Sequence, residues 1–377
     1  MKTVYLDHNA TTPIAPEVLE AMLPFLTDDW GNPSSLHQWG TRVKPNVDQA
    51  RQQLAEMIGA DPSEIVFTGC GTESNNAAIR GLWEALDQPT NVIASKVEHP
   101  AVLEPCRHLA EQGATCTELK VDQKGRIDLA ALEDAVSGGM AIVSLMWANN
   151  ETGVIFPIRE AAQIVKEAGG YMHTDAIQAI GKVPIDVREV PVDMLSIAGH
   201  KFNCPKGVGA LYIRKGTPFT PLLLGGSQEA GRRGGTPNVP YIVGIGVAAV
   251  SARSNATEAA GSIAPLRDRL ESSLLSLYAG AQVNGDLDSR LPNTSNISFP
   301  GLEGETLLYH LDDAGIAASA GAACSSGSME PSHVIRAMGV PDKLAFGSVR
   351  LSLGPTNSEE DVDYALAQLA EILPKLG

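Results

Sequence analysis

DMLSIAGHKFNCPKGVGALYI, Asp193 to Ile213, is the stretch from which the chain is best read. Two apolar runs, Met194 to Ala198 and Val208 to Ile213, have the length of short buried strands. Between them sits a polar knot, Gly199-His200-Lys201, followed by Asn203, Pro205 and Gly207. Lys201 is therefore expected at a strand end, where an amine must be exposed, paired or chemically used. Alone it reads first as a surface lysine reaching water, as most strand-end lysines do, and only second as a reactive amine.

Upstream, strand and helix alternate. Strands are expected at Glu64 to Thr68, Asn91 to Ser95, Ala141 to Trp147 and Tyr171 to Asp175. Helices are expected at Pro16 to Phe25, Val43 to Ile58, Gly69 to Leu86, Ala101 to Gln112, Leu129 to Val136 and Arg159 to Ala168. That pattern predicts a mainly parallel sheet wrapped by helices, with ligand sites beyond the strand carboxyl ends. After an apolar helix from Tyr241 to Arg253 the pattern changes to a long helix, Ser262 to Tyr278, strands at Ser295 to Phe299 and Ala317 to Ser319, and a closing helix, Glu359 to Leu376. A smaller α+β domain is expected there, with the boundary near Ser254 to Glu258.

At 377 residues with 44% hydrophobic content the chain can fill two domains. A net charge of −16 argues against a nucleic-acid face, although Arg232-Arg233 could meet a local anion. The amino terminus MKTVYLDHNATTP lacks an apolar leader and no apolar run approaches a membrane span, so a cytoplasmic protein is expected. Five cysteines (70, 106, 116, 204 and 324) form no CxxC pair and are odd in number, which fits neither a disulfide framework nor a zinc site. His8, His37, His108, His310 and His333 share no metal-like spacing and read as structural or exposed; no metal is expected.

Three groups point at one rim. Gly69-Cys70-Gly71-Thr72-Glu73-Ser74-Asn75 follows a strand and opens a helix, a place for a phosphate or simply for a cap from Thr72 or Ser74. Asp175 ends a strand 26 residues before Lys201, far enough to return through one helix and one more strand. An amine, a carboxylate and a helix start together suit pyridoxal phosphate: a Lys to bind the aldehyde, an Asp to keep the pyridine nitrogen protonated, and helix amides for the phosphate.

Eleven segments carry a resemblance. They are YLDHNATT from Tyr5, GNPSSLH from Gly31, TGCGTESNN from Thr68, VEHPAV from Val97, WANNETG from Trp147, HTDAIQAIGK from His173, GHK from Gly199, PKGVG from Pro205, GRRGGTPN from Gly231, ACSSGSMEPSHVIRAMG from Ala323 and VRLSLG from Val349. In order and nearly end to end, the chain resembles the NifS/IscS-type cysteine desulfurases of the class V aminotransferase group. The resemblance implies a pyridoxal-phosphate transferase of fold type I: a seven-stranded, mainly parallel sheet in a large domain, 12–255, and a small domain of 1–11 with 256–377. It implies that Lys201 holds the cofactor, Asp175 pairs with its ring nitrogen, Gln178 contacts its phenolic oxygen, and His99 stacks on the ring and assists proton movement, with Asn150 nearby. Gly71, Thr72 and His200 would hold the phosphate, joined by Thr236 from a second subunit of a homodimer. Arg350 would grip the carboxylate of L-cysteine with a bidentate fork. Ala198 stands where some relatives carry a serine, which implies one phosphate contact fewer.

Cys324 lies in AASAGAACSSGS, Ala317 to Ser328, a stretch with no bulky anchor that is expected to move. The implied reaction converts L-cysteine to L-alanine and leaves a persulfide on Cys324 for an acceptor protein, such as an iron–sulfur scaffold, or for transfer-RNA thiolation or DNA phosphorothioation. The other four cysteines are expected to be small buried residues, Cys204 least clearly. Two rivals compete with this reading. A plain aminotransferase or selenocysteine-specific lyase keeps the cofactor, but ordinary transamination needs no loop thiol. A non-catalytic assembly scaffold would bind its partner equally well without Lys201.

Overall fold

The computed structural model describes residues 2–86, 91–320 and 331–376. Seven strands form one sheet in the order Ile65–Thr68, Gly209–Ile213, Met194–Ala198, Tyr171–Asp175, Ala141–Met146, Asn91–Ser95 and Thr115–Leu119. Gly209–Ile213 runs antiparallel to both of its neighbours, and the remaining pairs are parallel. Alternate strand residues serve opposite faces. Phe67, Val143, Leu195, Ile197 and Tyr212 pack with the helices Pro16–Thr27, Gln38–Ile58 and Val239–Ser262. Val66, Ile142, Met194 and Leu211 pack with the helix Gly71–Ala85. Both faces are covered, which is why the strands read as apolar runs rather than as alternating ones.

Thr115–Leu119 escapes a reading by apolar runs. It is an edge strand in which only Leu119 is buried. The return from Asp175 to Met194–Ala198 contains no helix, contrary to expectation; residues 176–193 run through turns whose first residues are pinned by Ala179 N–H and Ile180 N–H to the Ala176 carbonyl.

A three-stranded antiparallel sheet, Ser348–Ser352, Thr294–Ser298 and Gln282–Val283, packs with the helices Ala264–Leu277, Gly304–Asp313 and Glu359–Leu376 in a second core. Val4–Tyr5 joins that region by pairing with Ile316–Ala317. The boundary expected near 254–258 falls inside the continuous helix Val239–Ser262. Ile242, Ile245 and Ala249 of that helix enter the large core and Ala259 the second, so one continuous helix runs through the expected boundary and serves both cores.

His173, in the middle of the large sheet, is wholly buried between Ser144 Oγ (Nδ1, 2.8 Å) and Ser196 Oγ (Nε2, 2.9 Å). Burial pushes its pKa down to about 3. Between that value and the ordinary histidine range the unfolded chain holds a proton that the folded one lacks, so stability drains as pH falls through this window. Relative to His173→Gln, the wild type is expected to lose up to a few kcal/mol between about pH 6.5 and 3, at about 1.4 kcal/mol per unit. Denaturant midpoints measured against pH check this; parallel profiles for the two proteins would refute it.

Candidate active site

The carboxyl ends of the parallel strands open on a cavity of about 380 Å³. Lys201 enters it from the one-turn helix Gly199–Lys201 that follows Met194–Ala198. Its Nζ donates to the carbonyls of Asn9 (2.6 Å) and Ala10 (2.8 Å). The turn itself is fastened by Gly199 N–H to Val208 O (3.0 Å) and by the Thr12 hydroxyl to His200 O (3.0 Å).

Asp175 ends the neighbouring strand. Its Oδ2 accepts from Asn75 Nδ2 (2.7 Å) and its Oδ1 from Ile177 N–H (3.0 Å), so it caps a turn and faces the cavity at once. Burial raises its pKa, opposed by those two donors and by the positive potential of His99 and Lys201. His99 caps the helix Pro100–Glu111, with Nδ1 accepting from Ala101 N–H (3.0 Å). That bond leaves the proton of the neutral ring on Nε2, and burial, partly offset by Asp175, lowers its pKa so that the neutral ring is favoured.

The helix Gly71–Ala85 points its amino end into the cavity. A Cβ on Gly71 would meet Ile177 Cδ1 and sit 3.2 Å from Ala198 Cβ, so the absence of a side chain lets the helix start lie close to both. The cap is Cys70, whose Sγ accepts from Glu73 N–H (3.4 Å), not Thr72 or Ser74. Ser74 instead bonds Thr68 Oγ1 (2.7 Å) and Ala210 O (3.1 Å). Cys70 is exposed and Cys116 half-buried, so the expectation of four buried cysteines holds only for Cys106 and Cys204. Thr72 and His200 line the same cavity; His200 Nδ1 meets Thr11 Oγ1 at 3.2 Å, and burial lowers its pKa to about 4.

Arg350 comes from the second sheet. Its Nη2 donates to Asp7 Oδ1 (2.7 Å) and its Nη1 to Asn150 O (3.1 Å), while its buried Nε meets no acceptor among the described residues. Asn150 and Gln178 also line the cavity. Thr236 does not; it borders a separate cleft beside Arg233 on the outside of its own chain. Cys324 lies outside the described residues.

Several groups at the site went unassigned in the sequence. Asn9 joins the pieces: its carbonyl takes Lys201 and Gln178 (2.9 Å), its Nδ2 reaches Asn150 O and Thr294 Oγ1, and its Oδ1 accepts from Asn293. His333, read as structural or exposed, lines the cavity and donates from Nε2 to Glu98 O (3.0 Å). Glu151 accepts from Ser332 Oγ at 2.5 Å. Glu98 is buried beside the site with its pKa pushed up to about 8, chiefly by burial. Each of these residues sits within a quoted motif, which is the only signal the sequence carries for them. A second, larger cleft of about 570 Å³ is lined in part by two ion pairs, Arg159 with Glu189 (2.7 Å) and Arg188 with Asp186 (2.5 Å).

With this geometry in hand, relatives identify the class. The family model for aminotransferase class-V matches residues 4–365. The chain is 50% identical over 376 residues to a cysteine desulfurase of Nostoc sp., covering 100% of this chain and 94% of that one. It is equally 50% identical, over 377 residues, to the cysteine desulfurase NifS of Azotobacter vinelandii, again covering 100% and 94%. A NifS-like protein of known structure superposes with a TM-score of 0.93 at 40% identity, covering all of both chains. SspA in complex with cysteine superposes with a TM-score of 0.83 at 35% identity, covering 94% of this chain and 100% of that one. The chain belongs to the aminotransferase class-V family, a family of pyridoxal-phosphate enzymes. Within that family it stands among the NifS-type cysteine desulfurases.

Proposed function

We propose that the chain binds pyridoxal phosphate in the Lys201 cavity and uses it to take sulfur from L-cysteine, releasing L-alanine. One observation carries the reading: a buried carboxylate, an amine, a helix start and an arginine converge on one cavity at the strand ends. The donor set fits the cofactor. Lys201 would bind its aldehyde, Asp175 its ring nitrogen and Gln178 its phenolic oxygen. His99 would lie against the ring, and the amides at Gly71 and Thr72, with His200, would face the phosphate. Ala198 adds only a methyl to that cup.

When bound, pyridoxal phosphate supplies an electron sink at the substrate Cα. Asp175, held by Asn75 and Ile177, would pair with the ring nitrogen and favour its protonated form. Lys201 takes the Cα proton and later returns one. The Cys324 thiolate attacks the substrate sulfur: an S–S bond forms, the Cβ–S bond breaks, and the electron pair left on carbon is protonated to give alanine. The persulfide sulfur then passes to a thiol of an acceptor protein, such as an iron–sulfur scaffold. The SspA structure with cysteine supports the choice of substrate.

Thr236 on the outer face is consistent with a homodimer in which it reaches the partner's phosphate site. No helix among the described residues is long and apolar enough to cross a membrane. Four free thiols among those residues support a reducing, cytoplasmic setting.

Arg350 and Asn150 would hold the substrate carboxylate. Arg350→Lys keeps the charge but loses the fork, so KM for cysteine is expected to rise about 10- to 100-fold with kcat little changed. Steady-state kinetics decide this; an unchanged KM would remove Arg350 from substrate binding. The function itself is tested by loading the purified protein with pyridoxal phosphate and L-cysteine and measuring alanine against sulfide in the presence of a thiol. Equal amounts are expected, and no alanine would end the reading.

A further inference from the structure

Beside the cavity stands a buried amine with no carboxylate against it among the described residues. Lys182 is 9% exposed, and its Nζ donates to Gln178 Oε1 (2.8 Å) and Gln178 O (3.0 Å). The charges that act on it are the cations Lys201 and Arg350, and from the amino-terminal segment the buried ring of His8 feels it. No salt bridge to an acid is made by Lys182 among the described residues. Burial and the two cations push its pKa down to about 7. An unpaired amine inside a protein is costly, and a methionine of similar length would avoid that cost.

What the amine does is visible in its neighbour. Gln178 is 5% exposed and lines the cavity. Its Oε1 accepts from Lys182 and its Nε2 donates to the Asn9 carbonyl at 2.9 Å. Turned over, the amide would set its N–H groups against the donor and its oxygen against the carbonyl, repulsive on both sides. The amide is thus held one way round, with its second N–H free for the cavity.

We propose that Lys182 is a positioning residue: it locks the Gln178 amide so that an N–H, not the oxygen, faces the phenolic oxygen of bound pyridoxal phosphate. The inference rests on the reading of Gln178 given above. A donor there favours the ionised form of that oxygen, so the pH at which the visible absorption of the bound cofactor titrates reports on it directly.

The test uses the full-length protein loaded with pyridoxal phosphate, as wild type, Lys182→Met, Lys182→Arg, Gln178→Ala and the double variant Lys182→Met/Gln178→Ala. Lys182→Met and Gln178→Ala are each expected to raise the titration midpoint by about one pH unit. Lys182→Arg, which keeps a donor, should restore the wild-type value. The double variant should move no further than Gln178→Ala alone, because Lys182 acts through Gln178. Lys182→Leu removes the amine with a different shape and should match Lys182→Met, and thermal unfolding of the cofactor-free proteins monitors folding.

A wild-type midpoint in both Lys182→Met and Lys182→Leu overturns the inference. So does an additive shift in the double variant, which would mean that the amine acts only through its charge. No shift in Gln178→Ala overturns the assignment of Gln178 and the inference with it. A wild type that never takes up the cofactor overturns the proposed function itself.

Discussion

Lys201→Ala is expected to purify without the visible absorption of a bound cofactor and to lose alanine formation by at least about 10⁴-fold. The amine is asked to do two things, to hold the cofactor and to move the Cα proton, and among the described residues lining the cavity no other side chain supplies both. The frame should survive the truncation. Gly199 N–H stays on Val208 O, Thr12 Oγ1 still accepts from Asn203 N–H at 2.7 Å, and the Asn9 carbonyl keeps Gln178. The thermal midpoint is therefore expected to shift little, which separates lost chemistry from lost folding. Lys201→Arg should be as inactive, since a guanidinium keeps the charge without serving as a nucleophilic amine. Absorption spectra and alanine assays on both variants decide the matter; more than 1% residual turnover would exclude Lys201 from the proposed role.

Cys324→Ser is expected to lower alanine formation by about 10³-fold or more when no external thiol is supplied, while leaving cofactor absorption intact. A serine hydroxyl does not attack sulfur, whereas a thiolate does, and the substrate sulfur needs an acceptor for the Cβ–S bond to break. Residue 324 lies outside the described residues, but the chain on both sides of it is fastened at the cavity. Ser319 exchanges backbone bonds with Arg350 (2.6 and 3.2 Å), Ser332 holds Glu151, and His333 holds the Glu98 carbonyl. Of the other thiols, Cys106 and Cys204 are buried, and burial pushes the Cys204 pKa up, away from the thiolate. Mass spectrometry after a single turnover should find one added sulfur on the peptide carrying Cys324. Full-rate alanine formation by Cys324→Ser without added thiol would sink the mechanism.

Where the sequence misleads about the fold, the cause is local pattern meeting non-local context. Thr115–Leu119 is invisible to a search for apolar runs because an edge strand turns most of its residues to water. The connection from Asp175 to Met194 is long enough for a helix, yet residues 176–193 spend that length on turns that bring Gln178 and Lys182 back under the cavity. The helix Val239–Ser262 runs through a composition change that looked like a boundary, because one helix can serve two cores on different turns.

By itself the sequence determined the alternation of buried strands and helices and the family. It also placed a lysine, an aspartate and a glycine-opened helix at strand ends, since each is written in neighbouring residues as a period, a cap or a motif. Only the tertiary structure decided that Asn9 and Ala10, some 190 residues before Lys201, hold its amine. It alone turned Asp7 toward Arg350 across 343 positions and put His333 beside the cavity. Hydrogen bonds of that separation leave no periodic trace in a chain; they exist only once burial has removed water as the alternative partner.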